Sequence, residues 1–407
     1  MKSLTVGVVL VSVFVVTGCP QASAPPAGEA ERRAFLASLT DSVVLPHLER
    51  LEIQAGALVD ATTALEATSG TDDAARATAR EALATLQTTW QALEVMHIGP
   101  AGSPATYSGG QGLRDGINAW PQVSPCGADQ QVVQNRMTEP GWAATRLVNV
   151  VGLHTLEYLL FLDDTKNACP AAASINNDGT WAALGDAEVT ARRAVYARVV
   201  AEDVLAKVQT LRAAWINSFA DQLRAAGEEG SMFSTAQQAV DEVYAAVFFA
   251  ELVTKDRKLA VPAGLHVDCE ASVCPERTES PYARLSLAHI RDNLRGARLV
   301  VAGSDNGDGN GDGNGDGDDD GRDGVGFTDL LAHAGHAAAA ANLINTLDTA
   351  IAATTSFGGT LEDALVTEPQ RVIDLHAAVK TFTDELKGTV PSLLGLRVPD
   401  EGAGDND

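Results

Sequence analysis

His154 and Glu157 are the two side chains best placed to do chemistry, because they stand three positions apart in an apolar segment. Residues at i and i+3 share one face of a helix, so an imidazole and a carboxylate at this spacing can bind one metal ion. A single buried histidine is more often a structural residue than a ligand. A buried carboxylate among Val, Leu and Phe needs a cation or strong donors, because its desolvation costs several kcal/mol. The pair therefore predicts a site for a divalent metal.

A second pair, Glu94 and His97, has the reverse order and stands near the end of an earlier apolar segment. On antiparallel neighbouring helices, the two pairs would place histidine beside histidine and glutamate beside glutamate, which would give a four-ligand metal site. His154 is expected about 14 residues into its helix, which is an offset of about 20 Å at 1.5 Å per residue. The long loop between the two helices would have to absorb this offset.

Apolar residues recur at helical spacing in long segments that are separated by stretches of Gly, Pro, Asn and Asp. We expect a kink at Pro46, a capping box at Ser234, and an N-cap at Ser280. This pattern predicts an all-α fold of two four-helix bundles, at residues 30–228 and 229–395, followed by an acidic tail at 396–407. The expected helices cover about 31–67, 73–98, 140–162, 186–226, 234–259, 281–301, 328–354 and 360–387.

The composition argues against nucleic-acid binding and against an all-β fold. The chain has 29 Lys and Arg against 54 Asp and Glu, a formal charge of -25 that disfavours nucleic acid as a partner. Aromatic residues make up only 5% of the sequence, and runs that alternate apolar and polar residues are scarce, which argues against an all-β fold.

The N-terminus has the pattern of a secretory signal at residues 1–18, with a positive start and a short apolar run. Its end, Val16-Thr-Gly-Cys19, fits a bacterial lipobox, and residues 19–29 have the composition of a flexible tether. We therefore expect a lipid anchor on Cys19 that attaches the protein to the bacterial cell envelope, at the outer membrane and facing the periplasm or the cell surface. The alternative is an ordinary signal with an accidental cysteine.

Four cysteines remain after Cys19, an even number in a compartment that permits disulfides. Cys269 and Cys274 enclose four residues, so a local bridge is the natural pairing, and it leaves Cys126 to pair with Cys169. The alternative is that all four are buried free thiols.

A tract rich in Asp and Gly lies within residues 303–326. Its oxygen spacing fits a calcium-binding loop, in which Asp replaces the usual Glu at position twelve. The alternative is a solvated Gly-Asp linker, which the shorter last Asp favours because it weakens bidentate closure. The candidate calcium ligands are Asp312, Asn314, Asp316, Asp318, Asp320 and Asp323.

The segment from Gly152 to Glu157 resembles the Gly-x-His-x-x-Glu signature of the imelysin family. Further blocks resemble this family in the same order, and together they extend over about residues 31–390. The sequence departs from the family at His97, where Arg is more common, and by its acidic insertion. The supporting blocks are Trp90 to Pro100, Trp120-Pro121, Glu279-Ser280 and Gly326 to Leu331.

The resemblance implies two helical bundles related by duplication, in a bacterial envelope protein linked to iron uptake or to peptidase activity. It implies that His154 and Glu157 are functional, with Glu94 and Glu279 near a groove between the bundles. Gly152 and Ser280 belong to the same blocks.

We therefore expect an envelope lipoprotein that binds a metal or a metal-bearing ligand, with iron as the suspected metal and an envelope uptake protein as a candidate partner. The alternative is an imelysin-type metallopeptidase that uses His154 and Glu157, although no His-Glu-x-x-His motif occurs. A non-catalytic surface adhesion module is a third interpretation, which predicts neither metal binding nor peptide cleavage.

Overall fold

The structure is a computed structural model that describes residues 28–303 and 324–399. Within these ranges the chain forms helices and turns and contains no β-strand, so the predicted all-α fold is confirmed. The division into two bundles related by duplication stays a prediction. The predicted signal peptide, Cys19, the six candidate calcium ligands and most of the acidic tail lie outside the described residues.

The α-helices of the first half are α1 Glu29–Ser38, α2 Leu45–Ala67, α3 Asp73–Glu94, α4 Leu113–Ile117, α5 Pro125–Gln134, α6 Leu153–Phe161, α7 Ser174–Asn177, α8 Thr180–Leu184, α9 Asp186–Ala214 and α10 Ala220–Arg224. Those of the second half are α11 Ala236–Val247, α12 Ser286–Ala302, α13 Phe327–His333, α14 Ala337–Ser356, α15 Leu361–Thr367 and α16 Pro369–Leu394. In the first half, the long helix α9 packs against α2, α4, α5, α6 and α8.

Three stretches are π-helical, namely Leu39–Val44, Trp215–Phe219 and Ala250–Ala260. The first ends just before Pro46, where a kink was expected. Proline has no N–H and its ring crowds the carbonyl four residues earlier, so the preceding turn cannot keep regular α-helical hydrogen bonds. The third continues from α11 and carries Lys258 into the interior.

One continuous cluster of buried apolar side chains extends from Phe35 to Leu396. Helix α2 packs on α3 and α9, while α3 also packs on α6 and on α12 of the second half. Helices α12 and α14 pack together, and α14 lies against α16. Helix α3 is thus one element through which the two halves of the chain meet, and α1 is another, since it packs on α11 and α13.

The helix predicted for residues 140–162 is much shorter, since α6 begins at Leu153. Gly152 precedes it with φ +82°, and a Cβ on this glycine would lie 2.6 Å from the Ile117 carbonyl oxygen. The backbone therefore turns sharply here, and residues 143–150 form only short 3-10 turns. The apolar face expected of a helix at residues 140–162 is not buried before this turn, since Leu147 is exposed.

Both predicted helix caps were wrong. Thr235, not Ser234, accepts the backbone N–H of Gln238 at the start of α11. The helix expected at Pro281 starts at Ser286, because the N–H groups of Tyr282 and Ala283 donate to Glu157 instead of entering a helix.

The last two predicted helices are each divided into two. Helices α13 and α14 are separated by a turn at Gly335, where φ is +88°. Pro369 separates α15 from α16, because the residue before a proline is disfavoured in the helical region.

The loops expected at residues 99–139 and 163–185 contain four of the short helices, α4, α5, α7 and α8. Disulfides join Cys126 to Cys169 and Cys269 to Cys274. The first bridge ties these two loop regions together.

The two glycines that flank the acidic tract lie against each other. A Cβ on Gly303 would lie 2.2 Å from the carbonyl carbon of Gly324, so the two backbones are in contact. Among the described residues, no helix has the length and apolar character needed to cross a membrane.

Candidate metal centre

Three buried side chains from different parts of the chain form a potential metal-binding group. His154, Glu279 and His289 each offer a ligand atom, and these atoms all lie within 4.8 Å of one another. His154 lies in the first turn of α6, Glu279 in the loop before α12, and His289 in the first turn of α12. The site therefore forms only when both halves of the chain are packed together.

Two glycines allow this close approach. Gly152 makes the turn that begins α6 two residues before His154. Gly296 lies where α12 meets α3, and a Cβ there would lie 2.0 Å from the Ala92 carbonyl oxygen. Larger residues at either position would push His154 or His289 away from the centre.

A chain of hydrogen bonds sets the tautomer of His154. Trp90 Nε1 and Asn118 Nδ2 both donate to Glu94 Oε1, at 3.0 and 2.8 Å. With its amide group oriented in this way, Asn118 presents Oδ1 to His154 Nδ1 at 2.5 Å. Nδ1 must then carry the proton, which leaves the lone pair on Nε2.

That lone pair faces a carboxylate. His154 Nε2 has no hydrogen-bond partner among the described residues and lies 3.8 Å from Glu279 Oε1. Two acceptors that face each other across this gap repel unless a cation lies between them. The separation is shorter than the sum of two metal–ligand bonds of about 2.1 Å, so one ion could contact both atoms.

Glu279 carries the negative charge of the centre. Its burial alone would raise its pKa, but Lys258, with Nζ 2.9 Å from Oε2, and His289 hold the pKa well below the ordinary value. Gln91 Nε2 donates to the other oxygen, Oε1, at 3.0 Å. Glu279 is therefore ionised at neutral pH, as a metal ligand must be.

The two histidines differ in their proton affinity. Burial lowers the pKa of His154, despite the opposing effect of Glu279. Burial also acts to lower the pKa of His289, but Glu279, 3.1 Å from Nδ1, outweighs burial and raises it. No hydrogen bond is formed by His289 Nε2 within the described ranges.

Glu157 lies beside this group but has different partners. Its Oε2 accepts the Ser280 hydroxyl at 2.8 Å, and its Oε1 accepts the N–H groups of Tyr282 and Ala283, both at 3.1 Å. The structure thus attaches Glu157 to the loop after Glu279. Ser280 serves this contact rather than the helix cap expected of it.

Glu94 and His97 do not converge on His154 as ligands. Glu94 Oε2 pairs with Lys258 Nζ at 2.9 Å, and Lys258 holds the pKa of Glu94 below its usual value against the opposite effect of burial. His97 lies past the end of α3 and stacks between Trp90 and Phe249. Burial, with a smaller effect of Arg114, lowers the pKa of His97 to about 3.

Glu94 and His97 instead line a cavity of about 340 Å³, together with apolar residues that include Phe249 and Leu252. The predicted offset between the two helices does not exist, because His154 is the second residue of α6 rather than deep within a longer helix.

The sequence did not indicate His289 or Lys258 as site residues. His289 stands on an otherwise ordinary amphipathic helix, and its only signal was a histidine on the buried face. Lys258 belongs to the run Lys255-Asp-Arg-Lys258, which is typical of a solvated surface. Their placement depends on the π-helical geometry and on contacts between the two halves.

The donor set suits a metal ion. Two imidazoles and one carboxylate form the combination that binds Fe(II) and Zn(II) in many proteins, and His289 would give up any proton it holds when it binds the metal. The unpartnered ring nitrogens provide an independent indication, because buried polar atoms without partners are rare and costly. The residues present thus fit a divalent metal.

Comparisons with known proteins assign this chain to a family. The family model described as Imelysin matches residues 44–387. The chain belongs to the imelysin family. The matched region contains Gly152, His154, Glu157, Glu279 and His289.

Two solved structures share the fold of this imelysin-family chain. One is named as a candidate iron-regulated protein A precursor from Parabacteroides distasonis, with 17% identity, a TM-score of 0.67, and coverage of 92% of this chain and 97% of the other. The second is an imelysin-like protein from Psychrobacter arcticum, with 15% identity, a TM-score of 0.66, and coverage of 91% and 98%. No curated protein matches the sequence.

Proposed function

We propose that this protein is a lipid-anchored protein of the bacterial cell envelope that binds a divalent metal and acts in iron uptake. Iron is the proposed metal. The observation that carries the proposal is the buried group of His154, Glu279 and His289. The lipobox pattern around Cys19 supports the location, and the name of one structural neighbour, an iron-regulated protein, supports the choice of metal.

Charge supports metal binding at this position. Glu94, Glu157 and Glu279 are buried around the centre, and Lys258 is the cation that contacts two of them. With His154 neutral, Lys258 and a protonated His289 would still leave one excess negative charge among the three glutamates, which a divalent ion could offset. Buried charges require such compensation, because their desolvation is costly.

The alternative function, a metallopeptidase, would require a carboxylate free to act as a general base. Glu157 was the candidate, and both of its oxygens already accept hydrogen bonds from the loop at residues 280–283. The geometry therefore favours binding over peptide cleavage. Metal-dependent cleavage of peptides that is abolished by Glu157→Gln would reverse this preference.

The proposal is tested by metal analysis and calorimetric titration of the purified protein with Fe²⁺, Zn²⁺ and Ca²⁺. We expect one tight site for Fe²⁺ or Zn²⁺, with affinity reduced at least about a hundredfold, or ~2.7 kcal/mol, in Glu279→Gln. Glu139→Gln is the matched control and should leave binding unchanged, since this exposed glutamate forms its ion pair with Arg136 rather than with residues of the centre. Equal affinity in Glu279→Gln and wild type would refute the site.

A further inference from the structure

Lys258 is a fully buried lysine that contacts two glutamates, one of them a proposed metal ligand. Its Nζ lies 2.9 Å from Glu94 Oε2 and 2.9 Å from Glu279 Oε2. Side-chain exposure is 1% for Lys258, 1% for Glu94 and 0% for Glu279, so water does not screen these charges. The Lys258 ammonium group therefore lies directly beside the carboxylate that would bind the metal.

The hydrogen bonds of Lys258 fix the position of this charge. Its ammonium donates to Gln91 Oε1 at 2.6 Å, Asn293 Oδ1 at 2.8 Å and Glu94 Oε2 at 2.9 Å. An ammonium has three protons, and these three bonds use all of them. The contact with Glu279 is thus electrostatic, and Glu279 can bind a metal without breaking a hydrogen bond of Lys258.

We propose that Lys258 is a fixed counter-cation that sets the affinity of the centre: it compensates Glu279 when no metal is bound and repels the metal when one is. This inference rests on the proposed function, because it assumes that Glu279 is a ligand. With Lys258 in place, the site would stay folded without metal and would release a bound ion readily. A protein that transfers metal to a partner requires both properties.

The effect has a definite sign. A unit charge within about 5 Å of a divalent ion changes its binding by more than tenfold at the effective dielectric constant of a protein interior. Removing Lys258 should therefore strengthen metal binding, although it removes buried contacts. A lysine with only a structural role predicts the reverse, because loss of packing would loosen the site and weaken binding.

The test is calorimetric titration of wild type, Lys258→Met and Lys258→Gln with Zn²⁺ and, without oxygen, with Fe²⁺. Both variants should bind each metal at least about tenfold more tightly than wild type. Lys387→Met is the matched control, because this lysine forms its ion pair with Glu251 at 3.0 Å rather than with residues of the centre. Its metal affinity should equal that of wild type.

Thermal unfolding provides a second measurement. Without metal, Lys258→Met should melt below wild type, because Glu94 and Glu279 lose their shared cation. Metal should then raise its melting temperature more than that of wild type, since tighter binding gives a larger stabilisation. If the methionine variant does not fold without metal, the glutamine variant, which keeps a donor, gives the comparison.

The possible outcomes separate this inference from the proposed function. If wild type binds metal and both Lys258 variants bind it equally or more weakly, the inference about Lys258 is overturned and the proposed function stands. Binding by the variants but not by wild type would support it, because the lysine would then be excluding the metal. An absence of binding in all proteins would overturn both.

Discussion

Two buried polar clusters in this protein are each centred on a carboxylate but differ in their hydrogen bonding. Around Asp129, Tyr158 Oη and the Ala168 N–H donate to Oδ2 at 2.7 and 2.8 Å, while Arg193 donates to Oδ1 at 3.4 Å. Both carboxylate oxygens are thus bonded. Around Glu279, the ring nitrogens His154 Nε2 and His289 Nε2 form no hydrogen bond within the described residues. The carboxylate of the structural cluster is satisfied by its neighbours, whereas the proposed binding site leaves histidine nitrogens available.

The position of each cluster supports this distinction. Arg193 also donates to the carbonyl oxygens of Asp164 and Lys166, so the Asp129 cluster fixes the loop after α6. The Glu279 cluster instead joins α3 and α6 to α12, where the two halves of the chain meet. One cluster holds a loop in place, and the other forms a site between elements distant in sequence.

The largest expected effect is a loss of stability when the Asp129 cluster loses its arginine. Arg193→Met should destabilise the protein by about 3–5 kcal/mol, because it leaves Asp129 buried without its cation. Chemical denaturation measures this change. Metal affinity should stay at the wild-type value, and a loss of affinity would show that the two clusters are not independent.

Acid should destabilise the protein through His47, which belongs to neither cluster. Burial lowers the pKa of His47 to about 4, although its contact with the Val43 carbonyl opposes this. The unfolded chain takes up a proton near pH 6.5 and the folded chain does not, so stability is complete above pH 6.5 and falls as the pH decreases toward 4. The loss is on the order of 3 kcal/mol.

Denaturation at several pH values checks this expectation, with His47→Leu as the comparison. The variant should show a smaller decrease between pH 6.5 and 4. An unchanged pH dependence would assign the acid sensitivity to other groups.

A smaller effect, on metal affinity, is expected from replacing Asn118, which orients His154 in the Glu279 cluster. Asn118→Leu removes the acceptor of the His154 Nδ1–H, so the ring is no longer held with its Nε2 lone pair toward Glu279. Loss of a hydrogen bond that orients a metal-binding histidine typically weakens metal binding about 10–100-fold, or ~1.4–2.7 kcal/mol. Titration with Zn²⁺ measures it, and unchanged affinity would mean that Asn118 does not set the tautomer.

The smallest effect is expected from the acidic tract. Replacing residues 304–323 with a short Gly-Ser linker should change the free energy of unfolding by less than about 0.5 kcal/mol. The reason is that Gly303 and Gly324 are already in contact. Thermal unfolding tests this, and loss of the second-half helices in circular dichroism would contradict it.

The sequence predicted the helical class because apolar periodicity is a local signal, and it also placed His154 in the site. It overestimated α6, because the turn at Gly152 depends on the approach of Ile117, a contact that periodicity does not show. It missed His289 and Lys258, because their burial results from packing between α3, α12 and the π-helical stretch. Elements encoded locally could be predicted, and Glu279 was indicated by the family resemblance, but the way the three ligands combine across the two halves was not predicted.

The most direct test is a crystal structure of the Fe²⁺- or Zn²⁺-loaded protein with anomalous scattering measured at the metal edge. The account predicts one strong anomalous peak within about 2.0–2.3 Å of ligand atoms of His154, Glu279 and His289. A peak held by Glu94 and His97 or by Glu157, or no peak near these three residues, would contradict it.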